Sequence, residues 1–214
     1  MVTRNSDRPV VVVIDDEESI REGCLRTLEG RGYRTAAAAD GARGLRLVGR
    51  AKPQVILVDL RMPGMSGMEV LQRICELDPD GVSIVMTGYG SIPSAVEAMR
   101  NGAHDYLEKP LTPDRLIEVV DEAMPLAEAK LGKGSRLPEK DHAEGALIRF
   151  ILRKASRYKE FARKLEYEGQ RELSGWGISS ESRRAILAGD TAWLTSICGE
   201  LAPEEREWLE KRPW

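Results

Sequence analysis

Val55-Ile56-Leu57-Val58-Asp59-Leu60-Arg61-Met62-Pro63-Gly64 is the stretch that decides the fold. An apolar run delivers one carboxylate to its end and then stops in a Pro-Gly turn. A short run that is apolar at every position reads as a strand buried on both faces, as in a parallel sheet with helices on either side. Asp59 then sits at the carboxyl end of a central strand, the edge at which open α/β sheets bind ligands. Alone, it is equally well explained as a turn or helix-start residue.

The same grammar recurs on both sides. Val10-Val11-Val12-Val13-Ile14 is a second β-branched run, and it delivers Asp15-Asp16-Glu17-Glu18 before Ile20, Cys24, Leu25 and Leu28 set up a helical stripe. Tyr33 to Ala39 reads as a short strand, and Asp40-Gly41 opens a helix that faces inward with Leu45, Val48 and Ala51 and ends at Lys52-Pro53. Met65 to Leu77 reads as the next helix, and Asp78-Pro79-Asp80-Gly81 as a turn. Val82 to Thr87 forms a strand, Gly88-Tyr89-Gly90 a turn, and Ser91 caps a helix that Asn101-Gly102 closes. Ala103 to Leu107 is a last strand ending in Glu108-Lys109-Pro110, and Thr112-Pro113 starts a final helix bearing Leu116, Val119, Val120 and Ala123. Strands alternating with helices in this way predict a doubly wound α/β domain with a five-stranded parallel sheet.

The polar residues at the strand ends are Asp15, Asp16, Asp59, Thr87 and Lys109, and together they suit one chemistry. Clustered carboxylates take up protons unless a cation sits among them, and all-oxygen ligation with retained waters is what Mg²⁺ prefers. Thr87 supplies a hydroxyl donor, and Lys109 a point charge suited to a phosphate oxygen. A carboxylate in that company can accept a phosphoryl group as an in-line nucleophile, giving an aspartyl phosphate.

Residues 9 to about 127 resemble the receiver domain of bacterial two-component response regulators. The resemblance rests on the acidic pair Asp15-Asp16, the run Val58-Asp59-Leu60-Arg61-Met62-Pro63-Gly64-Met65-Ser66-Gly67, the Thr87-Gly88 turn, Tyr106, and Lys109-Pro110, all in order. Met86-Thr87-Gly88-Tyr89-Gly90 through Lys109-Pro110-Leu111 is most similar to receivers that front nitrogen-regulation type activators. The resemblance implies that Asp59 takes a phosphoryl group from a sensor histidine kinase. It implies Mg²⁺ held by Asp16, Asp59 and the backbone carbonyl of Arg61, with Asp15 on a metal-bound water. Gly88 would let the phosphoryl group approach, Thr87 would swing toward it, Tyr106 would turn inward behind it, and Lys109-Pro110 would carry a cis peptide. The face built from the fourth helix and fifth strand would change, and a homodimer through that face is one partner open to the protein. The implied class is a cytoplasmic phosphoprotein of a two-component phosphorelay, not an enzyme beyond self-phosphorylation and self-dephosphorylation.

Taken singly, these residues have plainer explanations. Asp16, Glu17 or Glu18 alone is a helix-start acid favoured by the dipole, and for Glu17 and Glu18 that reading is kept. Tyr106 alone is a packed strand aromatic, Lys109 a surface lysine, and His104 has no assigned role. Aspartate-nucleophile phosphatases also place Asp at a strand end but need a second aspartate two residues on, where this chain has Arg61.

The 214 residues, 42% hydrophobic and 31% charged, suit one large or two small globular domains. No apolar run approaches a bilayer-spanning length, so no membrane is expected as a partner, and the polar start, residues 1–8, reads as a disordered N-terminus without a signal-peptide core. Cys24, Cys75 and Cys198 lack any paired spacing for metal or disulfide. The formal charge of -3 divides unevenly: residues 1–131 carry 16 Lys and Arg against 21 Asp and Glu, and residues 132–214 carry 16 against 14. All four tryptophans and both phenylalanines lie in the back half. A linker over 128–141 and a helical region of unknown role over 142–214 are therefore expected.

In that region Leu147, Ile151, Ala155, Tyr158, Ala162 and Leu165 predict one long helix, its other faces basic through Arg149, Arg153, Lys154, Arg157, Lys159, Arg163 and Lys164, with Glu160 the only nearby acid. Shorter helices follow at Glu181 to Leu187, Thr191 to Cys198 and Pro203 to Leu209, giving a small bundle with a tryptophan-rich core. No phosphate-binding Gly-rich loop is present, which leaves out the ATPase that follows many similar receivers. The tail is expected to contact a protein target under the control of Asp59. The alternative is a transcriptional regulator whose tail binds DNA, disfavoured because the short helices lack the apolar positions of a helix-turn-helix and Glu166, Glu168 and Glu172 dilute the charge.

Overall fold

A computed structural model describes residues 8–77, 81–88, 92–131 and 140–211. It divides into two units, residues 1–90 with 101–137, and residues 91–100 with 138–214. In the first unit five strands, β1 (Val10–Ile14), β2 (Arg34–Ala38), β3 (Val55–Asp59), β4 (Val82–Thr87) and β5 (Ala103–Glu108), form one sheet in the order β2-β1-β3-β4-β5. Every pairing is parallel. Helices α1 (Glu18–Arg31), α2 (Gly41–Ala51), α3 (Gly67–Leu77) and α5 (Pro113–Leu131) flank it; α4 (Ile92–Arg100) belongs to the other unit.

Alternation along the strands builds both layers. Val11, Val13, Leu57, Ile84 and Met86 pack with Cys24 and Leu28 of α1 and with Leu116, Val119, Val120 and Ala123 of α5. Val12, Ile14, Ile56 and Val58 turn the other way, onto Val48 of α2 and Val70 and Ile74 of α3. Every residue of β3 is buried, which is why its sequence shows no polar alternation. The strand order reverses between β1 and β3, so their carboxyl ends flank the switch point at which sheets of this kind open a crevice.

Local chemistry sets the helix starts. Asp40 accepts from the Arg43 N–H and caps α2. Ser66 and Glu69 form a reciprocal box at α3, the Ser66 N–H donating to Glu69 at 2.8 Å and the Glu69 N–H to the Ser66 hydroxyl at 3.3 Å. That box starts α3 at Gly67, two residues after the expected Met65. The Ser91 cap, Asp78-Pro79-Asp80 and Tyr89-Gly90 lie outside the described residues. Of the 128–141 segment, 128–131 finish α5 and α6 begins at Lys140, and 132–139 lie outside.

The second unit comprises α4, α6 (Lys140–Arg157), α7 (Lys159–Ser174), α8 (Ser180–Ala188), α9 (Thr191–Cys198) and α10 (Pro203–Glu210). The single long helix expected from the apolar stripe is two helices: Tyr158, at φ -110 and ψ 100, breaks the chain between α6 and α7. The stripe persists across the break because both helices bury it in one core. The turn brings Phe150 of α6 and Phe161 of α7 onto Trp176, with ring centroids 5.6 and 5.8 Å away. Tyr158 itself is half exposed. α6 is the central helix, packing on α4, α7, α8, α9 and α10.

This centrality overturns the expectation of a basic face with one acid nearby. Arg153 is buried with its Nε 4.0 Å from Glu205, and Arg157 lies 3.3 Å from Glu204, both acids being on α10. Arg149 donates to the Cys198 carbonyl. The Lys154 ammonium lies over Phe161 at 5.3 Å, a cation–π distance. These four α6 charges hold the bundle together, while Lys159, Arg163 and Lys164 of α7 are exposed. Of the tryptophans, Trp176 is fully buried, Trp193 and Trp208 are half-buried and Trp214 lies outside the described residues, so the core holds one tryptophan rather than several.

Candidate functional site

Four strand ends converge at the carboxyl edge of the sheet. Asp15 follows β1, Asp59 closes β3, Thr87 closes β4 and Lys109 follows β5. The Lys109 N–H donates to the Thr87 carbonyl at 2.7 Å, so the β4–β5 ladder itself holds the lysine in place. The Lys109-Pro110 peptide is cis. The lysine ammonium lies 2.8 Å from Asp15, 3.1 Å from Glu17 and 3.5 Å from Asp59. Asp15 is fully buried, and its other oxygen accepts the Glu17 backbone N–H at 2.9 Å.

The carboxyl oxygens of Asp15, Asp16 and Asp59 come within 4.8 Å of one another, the first and last buried and Asp16 exposed. Burial pushes the Asp15 and Asp59 carboxyls above the ordinary carboxylate range, although Lys109 opposes both shifts. Burial works against the charge on Lys109 too, but Asp15, Asp59 and Glu17 outweigh it and hold the ammonium above its usual value. Three carboxylates facing one lysine leave negative charge in excess, and their oxygens suit a hard divalent cation. The donor set therefore fits Mg²⁺.

Below the strand ends two backbones approach closely. A Cβ on Gly67 would lie 2.0 Å from the Asp59 carbonyl oxygen and 2.6 Å from the Leu60 Cα. Only glycine lets the first turn of α3 sit there. Gly64 turns the chain with φ +81.

Arg61 is exposed two residues beyond Asp59, and its backbone N–H helps hold the Asp59 carboxylate. Thr87 is buried at the strand end, and a Cβ on the exposed Gly88 would meet nothing within 4 Å. Tyr106 is buried, 6% exposed. His104 is half-buried on β5. Glu17, read as a helix-start acid, is the N-cap residue of α1, and its carboxylate also reaches Lys109, a contact that sequence reasoning missed.

Residues 11–121 match the model of the response regulator receiver domain. The chain belongs to that family. The receiver is 37% identical over 113 residues to the C4-dicarboxylate transport transcriptional regulatory protein DctD of Rhizobium meliloti, an alignment covering 53% of this chain and 25% of DctD. It is 38% identical over 117 residues to the DNA-binding transcriptional regulator NtrC of Escherichia coli K12, covering 55% and 25%. The chain thus spans about a quarter of the length of these two regulators. Among solved structures, a CheY-like receiver domain protein from Methanospirillum hungatei JF-1 superposes with a TM-score of 0.56 at 29% identity, over 58% of this chain and 99% of that one. The receiver accounts for these likenesses. Among the described residues no helix is long and apolar enough to cross a membrane.

Proposed function

We propose that this protein is a cytoplasmic response regulator that accepts a phosphoryl group on Asp59 from the phosphohistidine of a sensor kinase and thereby controls the contacts its helical unit makes with a protein target. The observation that carries the reading is the convergence of Asp15, Asp16 and Asp59 within 4.8 Å of one another with Lys109 beside them at a sheet switch point.

In the transfer, the phosphorus–nitrogen bond of the donor breaks and a bond forms from Asp59 to phosphorus, the imidazole leaving with the electron pair. Asp15, Asp16, Asp59 and the Arg61 carbonyl would hold Mg²⁺, which when bound neutralises charge on the phosphoryl oxygens. Lys109, released from part of its pairing with Asp59 once that carboxylate becomes an acyl phosphate, is placed to meet a phosphoryl oxygen. Thr87 offers a hydroxyl from the adjacent strand, and Gly88 offers room without a side chain. The groups present suit acceptance and hydrolysis of the acyl phosphate and no other turnover.

Protein contacts are favoured over DNA as the output because Arg149, Arg153, Arg157 and Lys154 are engaged inside the bundle. That leaves few of the basic residues that drew attention to duplex binding. The test is incubation with Mg²⁺ and acetyl phosphate followed by intact-mass analysis. One added phosphoryl group, lost in Asp59→Ala and without Mg²⁺, is expected; no addition to the wild type refutes the reading.

A further inference from the structure

Helix α7 carries four exposed residues of alternating charge, Glu160, Lys164, Glu168 and Arg171. They are separated by four, four and three positions, the spacing of one helix face. Such stripes ordinarily close on themselves through pairs three or four apart. In the same unit others do: Arg184 meets Glu181 at 3.3 Å on α8, and Lys211 meets Glu207 at the end of α10. On α7, among the described residues, no ion pair joins the four. Glu168 departs from helical geometry, at φ -129 and ψ 26, which disturbs the spacing that its pairs with Lys164 and Arg171 depend on. Beside the stripe stand Arg163, also exposed, and Tyr167, whose 80% exposure exceeds that of every other large apolar side chain among the described residues. The opposite side of the helix is buried through Phe161, Leu165 and Leu173.

We infer that this face of α7 is an interface between two copies of this chain, paired antiparallel. Read forwards, the stripe is negative, positive, negative, positive; read backwards, it is the reverse. It is therefore complementary to an antiparallel copy of itself. A two-fold axis between residues 165 and 166 sets Glu160 against Arg171 and Lys164 against Glu168 of the second copy, and each pair occurs twice, as an isologous contact requires. The same register brings Tyr167 to Arg163 of the second copy, a cation–π partner. A second copy is favoured over nucleic acid or a uniformly acidic protein because α7 carries four cations and four acids, and a surface of one sign satisfies only half of them. Sixteen residues of helix span about 24 Å, so the contact is small and the dimer weak and concentration-dependent. It does not depend on the phosphoacceptor reading, and it uses a different face from the fourth helix and fifth strand.

The experiment is sedimentation equilibrium of the full chain, in metal-free buffer without a phosphoryl donor, over a range of concentrations and at two ionic strengths. Wild type is expected to dimerise reversibly, and less in high salt, which screens exposed charges. Lys164→Glu and Glu168→Lys each turn two attractive contacts into repulsive ones, and each should weaken the dimer about tenfold. An equimolar mixture of the two variants is the deciding case. There each altered residue meets an opposite charge, so a mixed dimer should form with an affinity within about threefold of wild type. The chain carrying both Lys164→Glu and Glu168→Lys should recover likewise. Tyr167→Ala, which alters no charge, should also weaken the dimer, and far-ultraviolet circular dichroism follows the helix in every variant. A wild type that stays monomeric at every concentration overturns the inference. A dimer indifferent to both reversals is held by another face and overturns it too, as does loss in the single variants without recovery in the mixture.

Discussion

Removing Lys109 isolates the electrostatics of the site. Its ammonium, with a side chain 10% exposed, stands 2.8 Å from Asp15 and 3.5 Å from Asp59. At an effective dielectric of about 20, the two attractions amount to ~6 and ~5 kcal/mol. Desolvation of the three groups offsets most of this, and breaking a buried pair by deleting one partner costs about 3–5 kcal/mol net. Lys109→Ala should therefore destabilise the receiver by about 3–5 kcal/mol in metal-free buffer near pH 8.

Two dependences identify the cause. Without the lysine, Asp15 and Asp59 keep their raised pKa and lose the group opposing it. The folded state then binds more protons than the unfolded chain, so stability falls as pH rises from the ordinary carboxylate range through the folded values, and the deficit shrinks on acidification. Mg²⁺, binding the folded trio, should restore more stability to Lys109→Ala than it adds to wild type. Urea unfolding followed by far-ultraviolet circular dichroism, with and without Mg²⁺ and at two pH values, measures all three quantities. A loss under about 1 kcal/mol, or a deficit insensitive to both Mg²⁺ and pH, would refute the account of a lysine balancing excess buried negative charge.

Gly67→Ala puts a methyl against the Asp59 and Leu60 backbone, which cannot move aside as a side chain can; unfolding measurements should show a loss at or above the upper end of the usual 1–3 kcal/mol for overpacking, roughly 3 kcal/mol, with slower phosphoryl uptake. In the helical unit, burial raises the Glu205 carboxyl, with Arg153 opposing. A raised acid contributes stability that falls as pH rises from the carboxylate range through its folded value, so Glu205→Gln should flatten the pH dependence of thermal unfolding followed by tryptophan fluorescence, and an unchanged slope would count against it. The Cys24 thiol is buried and pushed up to about 11; it should resist alkylation in the native chain near pH 8 while Cys75 and Cys198, both half-buried, react first, as peptide mapping would show.

The receiver was legible in the chain because its information is local. β1 and β3 are short apolar runs, β1, β3, β4 and β5 each carry a functional residue at the last position or just beyond, and topology then brings those ends to one edge. Asp15, Asp16, Asp59, Thr87 and Lys109 could be named from strand ends alone. Glu17 could not, since whether a helix-start acid faces solvent or reaches a lysine 92 positions away depends on how β1 and β5 are laid in the sheet. In the tail, helical periodicity placed α8, α9 and α10 but ran through the break at Tyr158, because an apolar stripe of the same spacing serves one helix or two that share a core. The basic residues of α6 looked like a surface for the same reason: their acids, Glu204 and Glu205, lie about 50 residues downstream, beyond the reach of local spacing. The grouping of α4 with the helical unit rests on Gly177 and α6 meeting it in space. The sequence by itself determined the order of elements and the chemistry at the strand ends, since backbone periodicity and side-chain type are properties of neighbours. Which charges are spent in the core, and which unit holds α4, only long-range packing decided.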